Sequence, residues 1–200
     1  MEEEIARLDA LKPKYVFLTS TSGAGKTYFA DRLAGYKVLE LDRVVRKLGR
    51  DFGVEEAAAF KVYKNTRPEP FTAAFVENIH QFFEQNGDGP VVVEGAIADA
   101  DLVKRVFSGP YVEFTLVYLY PVDADAYVVR MMKRFKEDKE NNTRRLAIWP
   151  QVTPDIREAA EDSPELKQFM RRMACWSMDK SAQRYDHFEK NGLDMTRVEV

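Results

Sequence analysis

Residues 15–30 read YVFLTSTSGAGKTYFA. The first six, 15-YVFLTS-20, are apolar, rich in β-branched and aromatic side chains, and bounded by turn residues, which predicts a buried strand. Residues 26–35 look helical and stop at Gly35. Between strand and helix, Gly23 and Gly25 let the backbone curl so that successive N–H groups point inward, a nest for anionic oxygens. The helix that follows adds the positive end of its dipole. Ser20, Thr21, Ser22, Gly23, Ala24, Gly25, Lys26 and Thr27 fit seven positions of the phosphate-loop pattern G-x-x-x-x-G-K-[ST]; Ser20 stands where the first glycine would. Lys26 can then reach the β- and γ-phosphates of a nucleoside triphosphate, and Thr27 can place its hydroxyl on Mg²⁺. The plain alternative is a glycine-rich turn with an incidental lysine.

Working outward, residues 2–11 form a short helix with Ile5, Leu8 and Leu11 on one face, ended by Pro13. A second strand is 37-KVLEL-41, and a helical region from Asp42 is broken near Gly49 and Gly53. Pro68 and Pro70 mark a loop; Phe71, Phe75, Val76, Ile79, Phe82 and Phe83 then recur at helical spacing. The third, central-looking strand is 91-VVVEG-95, followed by a helix over 99–107 and a fourth strand, 111-YVEFTLVYLY-120. A long helix from Asp123 carries Ala124, Tyr127, Val128, Met131 and Phe135 on one face; residues 136–150 read as a loop or flap closed by Trp149-Pro150. After Pro164 another helix buries Leu166, Phe169, Met170, Met173 and Trp176, with Cys175 in the core, and TRVEV at 196–200 fits a last edge strand. Strands alternating with helices predict a three-layer α/β/α fold on a parallel sheet with right-handed crossovers. Ligands of such sheets sit at the carboxyl ends of the strands. That directs attention to 20–27, Asp42, Glu94 and 121–125.

Length and composition agree with this. Two hundred residues suffice for one α/β domain over 1–200: an N-terminal helix over 1–13, a lid near 130–150 and a helical segment over 151–200. A net charge of -3 leaves no global field drawing the chain onto nucleic acid. The single cysteine, Cys175, cannot form an intrachain disulfide and fits a reducing compartment. The acidic start MEEEIARLDALKPK is unlike a signal peptide, and no apolar run reaches membrane-span length. The expectation is a cytoplasmic protein without membrane association.

Candidates for the acceptor side are few. Asp42 follows the second strand and can take a proton from an acceptor hydroxyl; as an alternative it is an N-cap for a helix starting at Arg43. Glu94 ends an apolar strand, where an unpartnered carboxylate is costly. Organising Mg²⁺ or holding substrate would explain it, as would a salt bridge. Arg130 and Arg134, four apart and opposite the apolar face, open a run of seven basic residues (with Lys133, Lys136, Lys139, Arg144 and Arg145) against three acidic ones over 130–145. Such a run is either a lid over phosphates or a solvated helix end. Arg67, in NTRPEP, is a further substrate-contact candidate. His80 and His187 have no partners at catalytic or metal spacing and read as structural.

Taken in order, TSTSGAGKT, LELDR, NTRPEPF at 65–71, VVVEGAI and VDADAYVVRMMKRFKED resemble the P-loop nucleoside and nucleotide kinases, in particular the uridine kinase-like branch. The resemblance spans roughly residues 14–140. It implies a P-loop NTPase kinase fold with a helical lid, ATP and Mg²⁺ as cofactors, and a small-molecule acceptor, a nucleoside or nucleotide. In the roles it implies, Thr21 to Thr27 bind the phosphates, Thr27 and Glu94 serve the metal, and Asp42, Arg67 and Glu94 face the acceptor. Lys26, Asp42, Arg130 and Arg134 carry the transfer. Two rivals remain: a kinase acting on a nucleic acid hydroxyl, and a nucleotide-binding ATPase or switch with no acceptor.

Overall fold

The computed structural model describes residues 1–54, 69–140, 153–160 and 163–200. Five parallel strands form one sheet: β1 (Tyr15–Thr19), β2 (Lys37–Glu40), β3 (Val91–Gly95), β4 (Thr115–Tyr120) and β5 (Thr196–Glu199), in the order β2-β3-β1-β4-β5. The strand carrying the loop, β1, is therefore the centre, and β3 is its inner neighbour. β5 is the expected edge strand.

Side chains alternate across the sheet and define its two cores. Tyr15, Phe17, Val91, Val93, Leu116 and Tyr118 face one layer: α3 (Leu41–Asp51), α4 (Glu69–Gln85) and α5 (Ala100–Val106). Val16, Leu18, Val92, Val117 and Leu119 face the other: α1 (Glu2–Leu11), α2 (Lys26–Ala30), α6 (Ala124–Glu140), α7 (Pro154–Glu158) and the first half of α8 (Pro164–Lys190). The three-layer α/β/α architecture expected from the alternation is what the chain adopts. Helix α8 has 27 residues, about 40 Å at 1.5 Å per residue. Leu166 to Ala174 lie in the second core, and Phe188 lies in the first.

Several expected boundaries move, each for a local reason. Helix α2 ends at Ala30 instead of Gly35. The chain leaves it through tight turns, Arg32 N–H to Phe29 O (3.2 Å) and Leu33 N–H to Ala30 O (3.1 Å). Helix α1 then captures Ala34, whose N–H donates to Asp9 Oδ1 (3.0 Å) and whose carbonyl accepts from Lys12. Strand β2 stops at Glu40, and α3 runs unbroken through the buried Gly49 before Phe52 and Gly53 (φ 66°) end it. Pro70 lies in the first turn of α4, where no intrahelical N–H is needed. β4 begins at Thr115, since Tyr111 closes a 3₁₀ turn and packs edge-on against Tyr15 (5.4 Å).

Helix α6 continues through 136–140, where a loop was expected. Ala124, the first residue of α6, is exposed instead of buried. Cys175 and Trp176 are exposed as well, because the inward stripe of α8 runs through Met173, Ala174, Ser177 and Ser181. Arg67, Pro68, Arg144, Arg145 and Trp149-Pro150 lie outside the described residues.

One close approach positions the site. A Cβ placed on Gly95 would come within 2.6 Å of Leu41 Cβ and 2.9 Å of Leu41 Cγ. The bare backbone at the end of β3 is thus what lets the start of α3, with Asp42, settle beside it. Gly95→Ala is expected to cost about 1–3 kcal/mol by overpacking, read as a lower urea midpoint. Leu41→Ala in the same chain should not restore the loss, because the 2.6 Å contact is with Leu41 Cβ, which alanine keeps. An unchanged midpoint in the single variant would mean that α3 retreats freely.

Candidate active site

The chain leaves β1 through Ser20, which is fully buried. Its hydroxyl donates to Leu119 O (2.5 Å), and its own carbonyl accepts from Arg184 Nη1 (2.9 Å). A glycine here could make only the second contact, so the departure from the loop pattern supplies a tether to β4. Gly23 and Gly25 take φ of 88° and 91°, the left-handed region in which side chains are disfavoured. The following helix has only five residues, so its dipole adds less than a long helix would.

Charges converge on Lys26. Its ammonium donates to Thr21 O (2.9 Å) and keeps two further N–H groups. Burial pulls it down to about 8; Glu94 and Asp42 act to raise it, while Arg184 and Arg134 add to the fall. Glu94 is buried at the end of β3 and accepts a hydrogen bond from Thr27 Oγ1 (3.2 Å). Burial pushes its carboxyl up; Lys26 and Thr27 hold it back, and Glu40 and Asp42 push it further. Asp42 is exposed in the first turn of α3, whose N-cap is Glu40. The N-cap alternative for Asp42 therefore does not hold, and its charge acts on Lys26 and Glu94.

Helix α6 packs against the loop from outside. Arg134 Nη1 donates to Ser22 Oγ (2.8 Å). Arg130 is half-buried, its guanidinium 5.5 Å from the Tyr127 ring centroid, and its Nε and Nη2 are buried with no hydrogen-bond partner among the described residues. Arg134 thus reaches the loop and Arg130 is half-buried beside Tyr127, so neither stands on a solvated face opposite the apolar one. A buried guanidinium with unmade bonds is costly until an anion arrives.

Two residues were missed by sequence reasoning. Arg184 lies 164 positions from its partner Ser20, inside a long helix with no local motif. Tyr127 reads as a core aromatic, and it is fully buried, but its hydroxyl meets Thr21 Oγ1 (3.1 Å) and the Ser22 carbonyl. His80 meets Val106 O (2.8 Å), and His187 Nε2 accepts from Ala100 N–H (3.5 Å), both structural contacts. Among the described residues no group of three or more His, Cys, Asp or Glu could hold a metal by itself, and no helix is long and apolar enough to cross a membrane. Two surface clefts, one beside Ile156, Phe169 and Arg172 and one beside Val128, Val129 and Arg171, lie away from the loop.

No protein-family model and no curated protein matches the sequence. Solved structures with a similar fold include a sugar kinase from Janibacter sp. (16% identity, TM-score 0.44, 86% of this chain and 97% of that one). An uncharacterized protein from Eubacterium ventriosum (14%, 0.44, 94% and 89%) and a gluconokinase from Sinorhizobium meliloti (16%, 0.42, 90% and 98%) are further examples. None of the three is described as a nucleoside kinase. With every TM-score below 0.5, these likenesses carry no argument about activity.

If the loop binds a triphosphate, the lowered Lys26 ammonium will make that binding pH-dependent. Above pH 8 the free protein holds Lys26 largely neutral, and a bound triphosphate favours the charged form. Triphosphate affinity should therefore fall as pH rises through about 8, with proton uptake on binding at pH 9 and almost none at pH 6.5. Calorimetry in buffers of different ionisation enthalpy reads this directly. Equal uptake at both pH values would remove Lys26 as the titrating group.

Proposed function

We propose that this protein is a kinase that uses ATP and Mg²⁺ to transfer the γ-phosphate of ATP to a hydroxyl of a small molecule, a nucleoside or nucleotide. The observation that carries the reading is the convergence on Lys26 of two carboxylates, Glu94 and Asp42, and two guanidinium groups, Arg184 and Arg134, at the mouth of a glycine-kinked loop. Phosphoryl transfer needs positioning and charge neutralisation more than covalent chemistry, and this set supplies both.

Each role follows from chemistry. Residues Thr21 to Thr27 cradle the phosphates, with Lys26 on the β- and γ-oxygens. Arg130 offers its unpaired Nε and Nη2 to the transferring group, and Arg134 can exchange Ser22 Oγ for a phosphate oxygen. Asp42, exposed beside this cluster, takes the proton from the acceptor hydroxyl. Thr27 and Glu94 fit magnesium as that ion is usually held, by one or two protein oxygens with phosphates and water completing the shell. The ion, when bound, neutralises charge on the phosphate oxygens. The nucleoside or nucleotide acceptor rests on the ordered resemblance of LELDR, VVVEGAI and VDADAYVVRMMKRFKED. Arg67, outside the described residues, is kept as an acceptor contact.

The test is ADP release by the pure protein with ATP and Mg²⁺, alone and with nucleosides, nucleoside monophosphates and a hydroxyl-bearing oligonucleotide. One small acceptor should stimulate release. Asp42→Asn should lower that rate about 100-fold or more while ATP affinity stays the same. Acceptor-independent hydrolysis would make the protein an ATPase or switch. Stimulation by the oligonucleotide alone would move the substrate to nucleic acid.

A further inference from the structure

Three successive carbonyls of the loop each accept a hydrogen bond from a side chain. Arg184 Nη1 donates to Ser20 O (2.9 Å), Lys26 Nζ to Thr21 O (2.9 Å), and the Tyr127 hydroxyl to Ser22 O. Lys26 belongs to the loop pattern and can leave Thr21 for a phosphate. Arg184 and Tyr127 do not belong to it; they come from α8 and α6.

Hydrogen-bond bookkeeping assigns the Tyr127 proton. A carbonyl can only accept, so the phenol must donate to Ser22 O. Its oxygen then accepts from Thr21 Oγ1 (3.1 Å). Burial pushes the phenol up, so it remains a donor throughout the working pH range. Gly23 rests on the same ring, with a Cβ there only 3.5 Å from the Tyr127 ring and hydroxyl.

A trans peptide directs its N–H opposite to its C=O. Fixing the Ser20 carbonyl therefore fixes the Thr21 N–H, and fixing the Ser22 carbonyl fixes the Gly23 N–H. Both amides then point away from α8 and α6 respectively. A glycine-rich loop has many conformations available, and this one is selected from outside. Preorganised donors cost no reorganisation when the anion arrives.

We propose that Tyr127 and Arg184 are positioning residues that hold the phosphate loop in its anion-binding shape by taking the carbonyls of Ser22 and Ser20. This rests on the loop binding phosphate. It also joins the loop to α6, which bears Arg130 and Arg134, so the segment that supplies the phosphate-closing arginines and the loop that holds the phosphates share one hydrogen-bonded joint.

The experiment measures ATP and inorganic tripolyphosphate binding by the full chain, together with amide hydrogen exchange. Tyr127→Phe keeps the ring and removes only the donor; it should weaken both ligands about 3- to 10-fold, the size of one neutral hydrogen bond. Arg184→Met should weaken both about 10- to 100-fold, as a charge-assisted bond is lost, and Arg184→Lys should recover part of it. Amides of residues 21–25 should exchange faster in both variants, with those of β1 and β4 unchanged. If Arg184→Met does not fold, Tyr127→Phe alone decides. Variants that bind like wild type, or exchange that rises evenly through β1 and β4, overturn the positioning role while leaving the loop a phosphate site. Wild-type protein that binds neither ligand overturns the phosphate reading and this proposal together.

Discussion

A backbone leaving the centre of a parallel sheet carries polar groups that must be satisfied without water. At the end of β1 this requirement falls on Ser20, fully buried between β3 and β4. Its hydroxyl takes the Leu119 carbonyl and its carbonyl takes Arg184. Everything downstream depends on this exit. It sets the angle at which Gly23 and Gly25 turn the chain, and hence where Lys26 stands relative to the neighbouring strand end that carries Glu94. The serine in place of the pattern's first glycine is thus a structural element of the site, not a weakened copy of it.

The second constraint is steric. Gly95 admits Leu41 at a distance no other residue would allow, and Asp42 follows directly. Two carboxylates and a lysine are thereby gathered at the carboxyl edge of the sheet. Their mutual cost is visible in the burial that lowers Lys26 and raises Glu94. Arg130, beside Tyr127, adds hydrogen bonds unmade among the described residues. Groups held in this way cost folding stability, and a ligand bearing both phosphate and metal would offset that cost. This is the usual direction of the trade between stability and function.

The helices on the two faces have unequal duties. Those packed on the first core, α3 to α5, bring Asp42 beside the end of β3 and are otherwise ordinary apolar cover. Those on the second, α6 and α8, bury apolar stripes and also bring Tyr127, Arg134 and Arg184 to the loop. The length of α8 lets one helix pack Leu166 in the second core and Phe188 in the first and carry Arg184 to Ser20 between them.

The sequence by itself determined the alternating β/α order, the parallel sheet and the loop between β1 and α2, because hydrophobic period and glycine placement are local properties. It also marked Asp42, Glu94, Arg130 and Arg134 as worth placing, since charges beside apolar runs need a reason. Helix ends were less legible: α2 stops at Ala30 because Asp9 and Lys12 of α1 claim Ala34. Trp176 looked buried by spacing and is 47% exposed, because α8 turns a different stripe inward. Only the tertiary structure decided that β1 and not β3 is central, that Arg130 is half-buried beside Tyr127, and that Tyr127 and Arg184 reach the loop carbonyls. The strand order and the carbonyl contacts join residues far apart in the chain, 105 positions for Tyr127 and Ser22 and 164 for Arg184 and Ser20, and no local pattern encodes which distant donor a backbone carbonyl will meet.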